Sequence, residues 1–205
     1  VLASFGWAWP VAAAPASDRV VAREAPAEPR LGVAESYVNP DAAWALGARW
    51  ERIVFQWSQM QPNGPGDLTL PQEPTIAQLQ ADRARGVDVV GLLINTPSWA
   101  QAQPAQGVHS SPAGLNLPFD DPGNAWGQYC KAMAKQYMGT ISSWIVWNEM
   151  DIWDSQSPFY TWGSDAPTYY QMLKVASQAI TSVDPSAKIV IGGTTFYWDA
   201  NAGRP

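Results

Sequence analysis

From Leu31 onward, short apolar runs alternate with longer stretches whose apolar residues recur at helical spacing, the pattern of a βα series. The first run, Leu31 to Ala34, leads to a short helix after Asn39-Pro40-Asp41. Asn39 or Asp41 can cap it, and Ala42, Trp44, Ala45 and Leu46 form its apolar face. The second run, Arg49 to Phe55, precedes a Pro/Gly loop from Gln61 to Asp67 and a helix from about Pro71 to Arg85 that Gly86 closes. The third, Val87 to Ile94, is nearly continuous Val, Leu and Ile, which predicts a strand buried on both faces of a parallel sheet. The stretch from Thr96 to Gly123 lacks periodicity, and segments of that length are usually functional loops. A helix from about Asn124 to Tyr137, a strand from Ile141 to Trp147, a loop rich in Asp and Trp, a helix from about Ala166 to Val183 and a strand from Lys188 to Gly192 complete the series.

Five strands and about four helices give an α/β class with two candidate architectures. One is a (β/α)8 barrel truncated after about its fifth strand, with roughly three βα units still to come. The other is an open doubly wound sheet, which five strands would complete. No G-x-G-x-x-G follows the first strand and no P-loop is present, so a nucleotide site of the usual design has no support. Ahead of the series, residues 1–16 run apolar and end in small residues with an A-x-A site. They predict the tail of a secretory signal, already begun before Val1, and hence a secreted protein. That run is too short to span a bilayer. Residues 17–30 turn to Ala, Pro, Glu and Arg and predict a flexible leader, leaving 31–205 for the folded domain.

Composition narrows the partners. With 18 acidic against 12 basic side chains the net charge is -6, and no Lys/Arg run could follow a nucleic-acid backbone. The single cysteine, Cys130, cannot form an internal disulfide and reads as a small buried hydrophobe. With one His as well, the usual zinc sites are ruled out, and no cofactor or metal is expected. The 12 tryptophans exceed what core filling needs in a chain of 205 residues. Trp offers a flat apolar face with an N–H at its edge, which suits the C–H faces of sugar rings.

The richest stretch for chemistry is Ile141-Ser142-Ser143-Trp144-Ile145-Val146-Trp147-Asn148-Glu149-Met150-Asp151. An apolar strand ends there in an amide and a carboxyl, and barrel enzymes place their catalytic groups at such strand ends. Beside Trp and Met, the Glu149 carboxyl is partly desolvated, a setting that suits a proton donor. The bland alternative is a solvated carboxylate opening a loop. Asn148 can hydrogen-bond a sugar hydroxyl. Arg52 is costly in an apolar strand unless a carboxylate pairs with it, and Glu35 and Glu51 are the structural candidates. Trp57, Trp99, Trp153 and Trp198 fall at or just past strand ends, where sugar stacking competes with core packing as their role. His109, in the long third loop, can reach a sugar hydroxyl or simply be solvated. Asp151 and Asp154 read as loop caps or hydroxyl acceptors rather than metal ligands.

Trp147-Asn148-Glu149 after the fourth strand resembles the Asn-Glu signature of clan A glycoside hydrolases, the retaining barrel enzymes that include β-xylosidases, cellulase-like endoglucanases and β-galactosidases. Arg49-Trp50-Glu51-Arg52-Ile53-Val54-Phe55-Gln56-Trp57, with Gln61-Pro62 and Gly64-Pro65-Gly66, is similar to their second strand and loop. Thr96-Pro97-Ser98-Trp99-Ala100 resembles the loop after their third, and the Tyr129 to Tyr137 helix is also typical. The resemblance spans about Leu31 to Trp198. It implies a β-linked carbohydrate substrate, Glu149 as acid/base, Asn148 at a substrate hydroxyl, and Arg52 beside the nucleophile. That nucleophile is a Glu at the end of the seventh strand in these families, and no Glu follows Glu149 in this sequence. The expectation is therefore a hydrolase segment that is inactive alone; the competing class is a carbohydrate-binding or degenerate barrel.

Overall fold

A computed structural model describes residues 31–195. The leader segments and Trp198 lie outside the described residues. Five strands, β1 (Gly32–Ala34), β2 (Trp50–Gln56), β3 (Asp88–Ile94), β4 (Ile141–Val146) and β5 (Lys188–Ile191), form one all-parallel sheet in the order β1-β2-β3-β4-β5. Each strand pairs with its predecessor in the chain, with no reversal of order. A doubly wound sheet needs such a reversal, so that alternative fails, and sequential parallel pairing is the wall of a (β/α)8 barrel.

The helices start where local chemistry starts them. In α1 (Pro40–Ala45) the Asn39 side chain accepts from the Ala42 N–H, with Pro40 at the first helical position. A one-turn helix, α2 (Trp57–Met60), continues directly from β2 where the pattern left no element. The helix expected from Pro71 begins five residues later, as α3 (Ile76–Ala84), because Thr75 and Gln78 form a capping box there. Asn124 caps α4 (Ala125–Gln136) through the Gly127 N–H, and Asp165 caps α5 (Ala166–Thr181) through the Thr168 N–H.

Period-2 alternation in β2 sorts its side chains to two faces. Glu51, Ile53 and Phe55 are buried toward the helices, while Arg52, Val54 and Gln56 occupy the opposite face, the inside of a barrel. In register, Arg52 lies beside Val90, and Val90 beside Ser143. The expected two-sided burial of β3 holds for Leu92 and Leu93, but Val90 on the inner face is only half-buried.

Between sheet and helices sits an aromatic core. Trp57 stacks on Tyr129 with ring centroids 5.0 Å apart, Trp126 lies 5.4 Å from Trp57, and the Trp126 indole N–H donates to the Met172 carbonyl to tie α4 to α5. Gly91 makes room for this packing: a Cβ there would lie 2.6 Å from the Trp144 ring. Cys130 is fully buried in the same cluster, as expected, and burial pushes its thiol pKa well up.

Candidate active site at the strand ends

Among the described residues, four other than glycine have left-handed backbone conformations: Glu35 (φ 54), Asn95 (φ 67), Trp147 (φ 65) and Glu149 (φ 52). All four lie just past the C-terminal ends of β1, β3 or β4. Such conformations cost about 1–3 kcal/mol each and persist only where surrounding contacts over-determine them. Their concentration places the strained backbone of the described residues on one rim, at the C-terminal ends of the strands. On the same rim the Asn95 amide donates to the Gln56 Oε1 at 3.2 Å, linking β2 to β3.

Contacts on both sides hold Glu149. Its N–H donates to the Gly193 carbonyl at 2.8 Å, and its own carbonyl accepts from the Ile152 N–H and the Thr161 hydroxyl. Trp147 is fully buried: its backbone N–H donates to the Leu93 carbonyl, and its indole N–H to the Thr161 carbonyl at 2.9 Å. Tyr169, on α5, donates its hydroxyl proton to the Val146 carbonyl at 2.9 Å and accepts from the Gly192 N–H at 2.8 Å. Gly192 permits this junction, because a Cβ there would stand 2.6 Å from the Trp147 carbonyl oxygen. Asn148 and Glu149 themselves remain half-buried, within reach of a ligand.

Arg52 lies on the inner face of β2, on the side that closes around a barrel mouth. Among the described residues it forms no ion pair. Glu51 cannot be its partner, because adjacent strand residues face opposite sides and Glu51 accepts instead from the Ser36 hydroxyl and the Tyr37 N–H. The purely structural role considered for Arg52 therefore finds no support.

The aromatic candidates separate. Trp57 is 0% exposed, stacked on Tyr129 and bonded through its indole N–H to Gln61, so it is a core residue and no sugar platform. The side of the sheet from which α2 leaves β2 decides this. Trp99 is half-buried, edge-on to Trp57, with its indole N–H on the Gln61 carbonyl. Trp153 lines a cavity of about 630 Å³ together with Met150 and Asp151, the two residues that follow Glu149 in the chain. His109 packs edge-on against Tyr160, 5.0 Å between ring centroids, and its carbonyl accepts from the Gly163 N–H.

Asp151 accepts from the Thr195 N–H and hydroxyl, and Asp154 from the Gln156 N–H, so both act as loop fasteners. Among the described residues no cluster of three or more metal-ligating side chains occurs, and no helix is long and apolar enough to cross a membrane. Sequence reasoning missed Tyr160, Trp162 and Tyr169. The first two stood in the Asp/Trp-rich loop, whose aromatic density was a signal; Tyr169 had none, because it looked like any residue of an amphipathic helix.

No protein-family model matches the sequence, and no curated protein is similar to it. Among solved structures the chain is similar to the β-glycosidase of Thermosphaera aggregans, with a TM-score of 0.52, 13% identity, and coverage of 76% of this chain and 42% of that one. It is also similar to a family 39 glycoside hydrolase from Bacteroides cellulosilyticus (TM-score 0.49, 16% identity, 72% and 26% coverage) and to the endoglucanase Cel5A of Thermotoga maritima (0.47, 16%, 73% and 41%). The chain thus spans less than half the length of each. The class that the strand order and the Thermosphaera aggregans structure define is that of the parallel α/β barrels. Within that class the chain corresponds to a five-strand sector of the barrel wall.

Proposed function

We propose that this chain carries the acid/base half of a retaining glycoside hydrolase acting on a β-linked oligo- or polysaccharide, and that the protein is exported. The observation that carries the reading is the backbone of Glu149: a strained carboxyl-bearing residue, tied on both sides, at the rim of a parallel barrel sector. Glu149 would protonate the departing glycosidic oxygen and then draw a proton from the attacking water. Asn148, next to it, would hold a substrate hydroxyl, and the guanidinium of Arg52, which has no ion pair among the described residues, would keep a nucleophilic carboxylate ionised.

Retention requires that second carboxylate about 5–5.5 Å from the first. No Glu follows Glu149, so the nucleophile would come from chain beyond the five strands described. The test is turnover of aryl β-glycosides by a longer protein that includes the closing strands. Glu149→Gln is expected to cut it roughly 100- to 10,000-fold, least for substrates whose leaving group needs no proton. Unchanged turnover in that variant would remove the acid/base assignment. Tight sugar binding without any turnover, in a barrel that proves to lack a strand-end nucleophile, would favour the binding-protein alternative.

A further inference from the structure

A side chain interrupts the parallel ladder between β4 and β5 at its C-terminal end. The register pairs Val146 with Ile191, the last residues of the two strands. The Trp147 N–H turns to β3, where it donates to the Leu93 carbonyl, so by alternation the Val146 carbonyl faces β5. In an unbroken ladder the Gly192 N–H would donate to that carbonyl directly. The Tyr169 hydroxyl stands between the two instead, accepting from the Gly192 N–H at 2.8 Å and donating to the Val146 carbonyl at 2.9 Å. Two bonds meeting at one oxygen span more than a single direct bond, so the ladder opens here.

Just past the opening, the chain after β4 and the chain after β5 are fastened to each other again. The Glu149 N–H donates to the Gly193 carbonyl at 2.8 Å, and the Thr195 N–H and hydroxyl donate to Asp151. Trp147 and Glu149, the left-handed pair, turn within this short span. Gly192 already lies so near that a Cβ on it would stand 2.6 Å from the Trp147 carbonyl oxygen. Closing the ladder by a direct bond would drive Gly192 further into Trp147, so the turn needs the gap that the hydroxyl keeps. Tyr169 is itself fixed, its ring edge-on to Trp162 with centroids 5.9 Å apart, one turn into α5 from the Asp165 cap. Burial raises the pKa of its hydroxyl, which therefore keeps near neutrality the proton that the Val146 bond requires.

We infer that Tyr169 is a positioning residue, whose hydroxyl spaces the ends of β4 and β5 and thereby sets the backbone turn that carries Glu149. Its one proton is committed to the Val146 carbonyl, so it acts through Glu149 and not as a donor to a substrate. The link to turnover rests on the reading of Glu149 as acid/base; the spacing role stands without it.

The experiment is residue-resolved amide exchange on the purified 205-residue chain and on Tyr169→Phe, which keeps the ring and removes the oxygen. The Glu149 N–H is expected to exchange about tenfold faster or more in the variant, with the β1–β3 amides and the circular dichroism spectrum unchanged. Unaltered exchange at Glu149 in a folded variant would overturn the proposal. Protection lost throughout the sheet would overturn it too, by making Tyr169 a general determinant of the fold. Should Tyr169→Phe not fold, Tyr169→4-aminophenylalanine decides, because its amino group can still donate to Val146 from the same place. A folded chain with Glu149 protected as in the unsubstituted one is then expected, and an unfolded or unprotected one refutes the inference.

In the longer protein, Tyr169→Phe should lower kcat/KM about 10- to 100-fold for phenyl β-glycosides and about twofold at most for 2,4-dinitrophenyl ones, whose leaving group needs no proton. Equal losses on both substrates would show a less folded enzyme and no misplaced proton donor. In a Glu149→Gln background the same substitution should cost nothing further. If Glu149→Gln alone leaves turnover unchanged, the acid/base reading falls, while amide exchange still decides the spacing role.

Discussion

Glu51 is fully buried on the helix-facing side of β2. One carboxylate oxygen takes hydrogen bonds from the Ser36 hydroxyl and the Tyr37 N–H; the other finds no donor among the described residues and meets Asp82 of α3. Asp82 is 4% exposed. Desolvation raises both pKa values, aided at Glu51 by the Asp82 charge and opposed at Asp82 chiefly by Arg85. Two such carboxyls are satisfied only when they share a proton. A group whose folded pKa lies above its unfolded value contributes stability that is complete below the unfolded pKa and fades as pH rises through the folded one. Glu51→Gln keeps the protonated shape without the titration. It should therefore raise the thermal midpoint near neutrality and give no gain below the ordinary carboxylate range, in melts followed across that window. An equal effect at both ends of the pH range would mean that Glu51 is not being protonated in the fold.

Gly192 invites a second residue-level test. Ala there would place its Cβ against the Trp147 carbonyl and the Met150 side chain and displace the turn that carries Glu149. Gly192→Ala is expected to cost turnover in the longer protein more than tenfold while leaving Arg52 and the β1–β3 ladders in place, which amide exchange can map. Amide protection lost throughout the sheet would instead indicate general unfolding.

Caps and strands are decided locally, which is why elements were the most legible part of the sequence, whereas the strand order, left open between two architectures, is set by tertiary pairing. Asn39, Asn124 and Asp165 each sit before an apolar repeat and each caps the helix that follows. Asn124→Ala removes the bond to the Gly127 N–H and the amide donor to the Leu117 carbonyl. The expected loss is about 1–2 kcal/mol in urea unfolding, whereas a change near zero would mean the loop from 117 to 123 holds α4 by other means. The candidate site was readable in the sequence chiefly at the family-like Asn148-Glu149 pair, which the structure places just past the end of β4. Trp57 misled because its position at a strand end is visible in one dimension, whereas the face from which α2 departs is not. The cavity was invisible for a related reason: its wall forms from Gln106 and Tyr160, 54 residues apart, which no local pattern joins.

At the scale of the whole molecule, the inner face of the sheet is the open one. Val54 is 37% exposed and Val190 40%, both on the face opposite the helices, and Ile191 at the end of β5 is 60% exposed. A parallel sheet normally keeps both faces covered, and an apolar strand edge is a template for pairing with another chain. The 205-residue chain alone is expected to bind an apolar dye such as ANS and to self-associate as its concentration rises in sedimentation experiments. Val190→Lys should reduce both. A dye-silent monomer at all concentrations would show that this face is already covered.

The unbroken strand order has a consequence for how the protein is made. Since neighbours in space are neighbours in time of synthesis, each strand leaving the ribosome meets a partner that has already emerged, and none must wait for a distant segment. The wall can grow by accretion from its N-terminal edge. The turn bearing Glu149 can set only after β5 arrives and the chain beyond it supplies Gly192 and Gly193, so this rim is among the last of these parts to take shape.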